Sequence, residues 1–153
     1  MTAKRVKDSQ ITLSQLMQPH DANHFGNVHG GVIMKLVDEA GALCAMRHAQ
    51  CQVVTLAVDS LLFHSPVHVG NLLVLTASLN WIGRTSLEAG VRVTTEDIYT
   101  AEVVHTHSAY LVYVALDEHQ KPTEVPPLIR ETADEHRRWA EAEVRRARRL
   151  QSS

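Results

Sequence analysis

The hydrophobic period changes once along this chain, and that change limits what it can fold into. From Gly31 to about His48, the residues Ile33, Leu36, Val37, Ala40, Leu43 and Cys44 recur at the three- and four-residue spacing of a buried helical stripe. From Val53 onward the pattern turns to alternation and β-branched runs: Val53 to Phe63, Leu72 to Ile82, Ser86 to Thr95 and Ala101 to Ala115. Pro66, Gly70 and Gly83 punctuate them. An earlier short strand over Ile11, Leu13, Leu16 and Met17 ends at Pro19. One long helix and strands joined by short turns predict an α+β layer, a helix on one antiparallel sheet whose successive strands are neighbours. Met34, Gly41, Ala42 and Ala45 give the helix a second weakly polar face, which predicts a central helix wrapped nearly all round. After a loop with three prolines, Asp117 to Pro127, Thr132 to Leu150 reads as a C-terminal helix with acids leading and arginines following. Its apolar stripe is thin: Trp139, Ala140, Val144 and Ala147.

A chain of 153 residues suits one ordinary domain, and 44% hydrophobic residues supply a core. We place the domain at 1–127 and a C-terminal helical extension at 128–153. A formal net charge of −2 gives no general pull towards nucleic acid or an anionic membrane. No apolar run is long enough to span a bilayer, and Met1 is followed by polar residues rather than a signal-peptide core. Cys44 and Cys51 form no Cys-x-x-Cys pair, so neither a disulfide framework nor a zinc knuckle is indicated. The expected setting is cytoplasmic and reducing.

The chemistry concentrates where the polar loop from His20 becomes the helix. Gly30 and Gly31 permit close approach of a ligand to the backbone, and free N–H groups at a helix start favour negative charge, including a developing oxyanion. Asp38 follows Gly31 by seven residues, two turns on the same side, in a row with Met34, Gly41 and Ala45. A lone carboxylate there is costly unless it is used or paired. Pattern alone leaves two readings of Asp38 open: an ordinary surface acid or ion-pair partner, and a general base or nucleophile. His29 either touches substrate or shapes the loop. His105 and His107 share a strand face by period two, but lack a third ligand for a metal. Asp59 is expected to pair with a neighbour. Cys44 reads as core, and no Gly-x-Ser-x-Gly elbow or nucleotide-binding glycine motif is present.

The run from Asp21 to Gly41, Asp-Ala-Asn-x-x-Gly-Asn-Val-His-Gly-Gly-x-Ile-Met-Lys-Leu-Val-Asp-Glu-Ala-Gly, resembles the cytosolic acyl-CoA thioesterases of the hotdog-fold superfamily. The likeness continues through Asp59, Phe63-x-x-Pro66-Val67-x-x-Gly70, Gly83-Arg84-Thr85-Ser86 and Val125-Pro126-Pro127. It implies a hotdog fold, one long central helix wrapped by an antiparallel sheet, and acyl-CoA thioester hydrolysis with no metal or other cofactor. It implies that Asp38 is the catalytic carboxylate, that Asn23 is the assisting loop asparagine, and that Gly31 offers its N–H to the thioester carbonyl. It places His29, Gly30, Arg84, Thr85 and Ser86 near substrate or CoA; the arginine fork of Arg84 suits a phosphate. The arginines near the C-terminus are either a solvated face or further phosphate contacts. The resemblance also implies a homodimer whose sites take Asn23 and Asp38 from different chains, assembled into a trimer of dimers. The alternatives are a phenylacetate-pathway-type hotdog thioesterase acting on aryl-CoA and a non-catalytic acyl-CoA-binding module.

Overall fold

Every second residue of the strands that face the long helix is apolar and buried, which gives the helix one continuous surface to pack on. The computed structural model describes residues 1–63 and 65–152, with only the backbone for 60–63, so the Phe63 side chain behind part of the resemblance lies outside the described residues. In chain order the elements are β1 (Lys4–Arg5), β2 (Ile11–Leu16), α1 (Gly30–Ala49), β3 (Gln52–Phe63), β4 (Asn71–Ile82), β5 (Ser86–Asp97), β6 (Val103–Leu116), β7 (Leu128–Ile129) and α2 (Ala133–Ser152). Five strands form one antiparallel sheet in the order β2-β4-β5-β6-β3. The inner face presents Leu73, Leu75 and Ala77 from β4, Leu87, Ala89 and Val91 from β5, and Ala109, Leu111 and Tyr113 from β6, all buried. Against them α1 packs Ile33, Leu36, Val37, Ala40, Cys44 and Ala45. The α+β layer therefore holds as expected.

Three expectations change. β3 does not neighbour β4; it closes the far edge of the sheet against β6, from Gln52 opposite Leu116 onward. The centre goes to the strands with the most apolar inward faces, while β3 keeps Val54, Leu56 and Val58 exposed and pairs through two bulges. The helix is covered on one side only within the chain, because Lys35, Glu39, Leu43, Met46 and Arg47 are exposed. Leu43 accordingly leaves the predicted buried stripe. The stripe of α2 also differs: Val144 and Ala140 are exposed, and Ala142 is buried. What docks α2 on the outer sheet face is polar and aromatic. Arg145 donates to both carboxylate oxygens of buried Glu88, at 2.9 Å each, and lies 3.7 Å over the Tyr110 ring. Trp139 meets Trp81 with ring centroids 6.0 Å apart. A bidentate pair to a buried acid orients a helix in a way no apolar period reveals.

The C-terminal end of α1 is tied down by the short parallel pair of β1 and β7. Lys4 Nζ donates to His48 O at 2.6 Å, capping the helix. His48 is fully buried, with Nε2 2.7 Å from Pro126 O and Nδ1 without a hydrogen-bond partner. Burial pushes its pKa below the ordinary 6.5, opposed by the Pro126 carbonyl and reinforced by the Lys4 charge. The unfolded chain therefore binds a proton first as pH falls. The stability that neutral His48 contributes is present above pH 6.5 and is lost as pH falls through the lower folded value. Thermal unfolding should show wild type losing its lead over His48→Gln as pH drops from 6.5 towards that lower value. A gap constant with pH would contradict this.

Candidate active site

The loop before α1 is a small, self-bonded hairpin. Ala22 bridges Val28, and Asn23 Oδ1 accepts from the N–H groups of Phe25 at 2.9 Å and Asn27 at 3.2 Å. Gly26 turns the tip with φ +86, a conformation that favours glycine. Val28 N donates to Val67 O and His29 N to Asp21 O, which fixes the loop on the sheet rim. The His29 side chain is exposed and makes no capping bond, so its residue serves as N-cap through the backbone alone. The first helical bonds run from Val32 and Ile33 to His29 O. The N–H groups of Gly30 and Gly31 thus head the helix ahead of its first bonds. At Gly31 an added Cβ would meet nothing within 4 Å, so in this chain the glycine opens onto free space.

Asp38 is half-buried on the sheet side of α1, and two hydroxyls converge on it. Thr55 Oγ1 and Tyr113 OH each donate to Oδ1 at 3.0 Å, while Oδ2 accepts from neither. Thr55 comes from β3 and Tyr113 from β6, so the sheet aims the carboxylate. Burial, and then the neighbouring Asp38 charge and hydrogen bond, push the Tyr113 pKa far up, which keeps that hydroxyl a donor. Room for it comes from Gly41, where a Cβ would collide with the Tyr113 hydroxyl. Helix propensity alone says that Gly41→Ala should stabilise α1 by up to about 1 kcal/mol. The collision says the opposite: a net loss of roughly 1–3 kcal/mol in urea unfolding, from forced displacement in a packed site. A more stable Gly41→Ala would refute the contact.

Asn23, His29, Gly30 and Gly31 gather at the start of α1. Asp38 is on the same helix but about 10 Å further along its axis, at about 1.5 Å per residue. Arg84, Thr85 and Ser86 lie on the β4–β5 turn, where Val125 N donates to Arg84 O, and Pro126 meets His48. That turn sits by the C-terminal end of α1, roughly 25 Å from Gly31 by the same rise. Arg84 is exposed and 3.8 Å from Glu124. The predicted residues therefore form three stations along one helix rather than one cluster.

Of the other residues singled out, Asp59 does pair, with Arg149 at 3.2 Å. Arg145 and Arg149 are engaged within the chain rather than lying on a solvated face. His107 is buried and His105 exposed, and among the described residues no group of three His, Cys, Asp or Glu side chains comes together. Thr55 and Tyr113 escaped the sequence reading. Each looks like an ordinary strand residue, and the one available signal was Gly41, a glycine in a helix interior with no turn to serve.

Residues 25–102 match the model of the thioesterase superfamily. Protein VdlD of Helicobacter pylori is 41% identical over 138 residues, 90% of this chain and 77% of that protein. The cytosolic acyl coenzyme A thioester hydrolase of Rattus norvegicus is 34% identical over 92% of this chain, which spans 37% of that longer protein. Among solved structures, an apo-hexameric acyl-CoA thioesterase superposes with a TM-score of 0.95 at 36% identity, covering 99% of this chain and 97% of that one. An acyl-CoA hydrolase from Staphylococcus aureus, in complex with butyryl coenzyme A, coenzyme A and coenzyme A disulfide, gives 0.89 at 32% identity over 98% and 94%. Three further structures of that hydrolase carry single alanine replacements of an asparagine, an aspartate fifteen residues on and a threonine seventeen beyond it. Asn23, Asp38 and Thr55 stand at the same two spacings. With the sheet, the central helix and these likenesses together, the chain belongs to the hotdog-fold thioesterase superfamily, among its acyl-CoA thioesterases.

Proposed function

We propose that this chain hydrolyses acyl-CoA thioesters to free acid and CoA, with Asp38 activating the attacking water and the Gly31 N–H holding the carbonyl oxygen as it becomes an oxyanion. The observation that carries the reading is the Asp38 carboxylate, aimed through Oδ1 by Thr55 and Tyr113 with Oδ2 left to accept a proton. Water adds to the thioester carbon while its proton passes to Asp38. The tetrahedral intermediate then collapses, and CoA leaves as a thiolate. Nucleophilic attack by Asp38 itself, through a transient anhydride, would use the same oxygen. Asn23 contributes its side-chain amide to orient the water or the carbonyl, since its Oδ1 already serves the loop. The reading calls on no metal and no cofactor beyond the CoA of the substrate; chelator should leave turnover unchanged.

Reacting atoms must come within about 3–3.5 Å, whereas Asp38 lies far along the axis from Gly31 of its own chain. That mismatch supports a site shared by two chains, with Gly31 and Asn23 from one and Asp38 from the other. The exposed far side of α1 and the open edge of β3 are the surfaces such a dimer would cover. The hexameric thioesterase that superposes on this chain supports a trimer of dimers. Within such an assembly the turn of Arg84, Thr85 and Ser86 is available to CoA phosphate held by another subunit, with His29 and Gly30 nearer the thioester. Among the described residues no helix is long and apolar enough to cross a membrane. The rat relative is named cytosolic, which supports a cytoplasmic enzyme. The test is thiol release from a panel of alkyl- and aryl-CoA substrates. Binding of acyl-CoA with no release of thiol would replace an enzyme by a binding module, and a preference for aryl-CoA would move the chain to the phenylacetate type.

A further inference from the structure

We infer that Tyr113 is the residue that sets the Asp38 carboxylate in position for proton transfer, and that Gly41 stands in the middle of α1 to admit it. This rests on the hydrolase reading above and adds to it a positioning residue and the helix site that makes room for one. Tyr113 OH is 3.0 Å from Asp38 Oδ1 and 3.1 Å from the backbone oxygen of the same residue. Its single hydrogen therefore has two oxygens of Asp38 within reach, and the contact ties the end of that side chain to its own main chain. Rotation of the carboxylate about its side-chain torsions breaks the tie. Thr55 Oγ1 reaches Oδ1 alone and imposes no such link.

The two hydroxyls also differ in how firmly they are held. Thr55 and Tyr113 stand directly opposite each other on β3 and β6. Thr55 is exposed on the edge strand, next to a register shift, whereas Tyr113 is fully buried and β6 is paired on its other side through Leu87. A phenylalanine would fill the same core, and a buried hydroxyl is costly unless it has a partner, so the oxygen at this position answers to Asp38. The helix carries the matching mark. Gly41 is buried in its interior and has no positive φ to explain a glycine. The three atoms nearest a Cβ placed there all belong to Tyr113: the hydroxyl oxygen, which it would collide with, and two ring carbons at 3.2 and 3.3 Å. Glycine is a poor helix former, so α1 gives up stability at this one point and gains the reach of the hydroxyl to Asp38.

The experiment follows thiol release from the acyl-CoA that wild type turns over fastest, together with thermal unfolding, for Tyr113→Phe, Gly41→Ala and the double variant. Tyr113→Phe keeps the ring and removes only the hydroxyl. Its kcat should fall by about tenfold or more, towards the roughly hundredfold that a misplacement of about 1 Å costs. Its KM should stay within about twofold, because the lost alignment acts in the transition state and not in substrate binding. Gly41→Ala should melt below wild type. In the double variant the colliding oxygen is gone, so melting should rise about 2 °C or more above Gly41→Ala. Its kcat should remain as low as that of Tyr113→Phe. Stability and turnover then separate, which a tyrosine with only a structural role would not cause. A folded Tyr113→Phe with kcat within about twofold of wild type overturns the inference, as does a loss confined to KM. So does a double variant whose turnover returns together with its melting temperature. Each of these leaves the hydrolase reading intact. Release of no thiol from any acyl-CoA by wild type overturns both.

Discussion

Asp38→Asn is expected to lower turnover on acyl-CoA by on the order of 10²–10⁴ while leaving the fold in place, the range for loss of a positioned acid–base group. The substitution is close to isosteric. An asparagine oxygen can still accept from Thr55 Oγ1 and Tyr113 OH, so the hydrogen bonds that aim the side chain survive. What is lost is the second carboxylate oxygen, the one free to take a proton. The variant should melt within a few degrees of wild type and give the same circular dichroism, with turnover read as thiol release. Turnover near wild type in a correctly folded variant would remove Asp38 from the chemistry and reduce its two hydroxyl partners to a structural bond. Thr55→Ala should cost less, because Tyr113 still holds the carboxylate.

The second large effect comes from mixing two inactive proteins. Asn23→Ala and Asp38→Asn homodimers should each be nearly inactive. Let their subunits exchange. In a mixed dimer one site receives both substitutions, while the other receives intact Asn23 from one chain and intact Asp38 from the other. Random pairing makes about half of the dimers mixed, each with one good site of two, so roughly a quarter of wild-type activity should return by symmetry. Residues acting within one chain would leave every site damaged and return nothing. The axial separation of Gly31 and Asp38 makes the first outcome the expected one. Exchange itself is checked by mass spectrometry of tagged subunits, so that an absence of rescue counts against the shared site.

The long helix and all four long strands were legible because each carries its own period over ten or more residues. The placement of those strands was not. Short turns correctly join β4, β5 and β6, but β3 passes over to the far edge, and no local signal distinguishes a connection that turns back from one that crosses. The site was legible only where chemistry and backbone coincide in one stretch: Asn23, the two glycines and Asp38 lie within sixteen residues. Thr55 and Tyr113 reach Asp38 from 17 and 75 residues away, and a strand hydroxyl gives no hint of which carboxylate it will meet. The arginines of α2 show the same limit from the other side. A run that reads as solvated charge turns its Arg145 inward because Glu88, far earlier in sequence, is buried beneath it.

The edge position of β3 also orders events on the ribosome. Gln52 has its place opposite Leu116, so β3 leaves the exit tunnel long before the strand that will hold it has been made. At about 5–20 residues per second, the intervening stretch takes roughly 3–13 seconds to appear. Through that interval Val54, Leu56 and Val58 travel on an unpaired strand, open to any other nascent chain with a free edge. Crowded polysomes translating this message would therefore be the place where its misassembly begins, and slower decoding between β3 and β6 would lengthen the exposure.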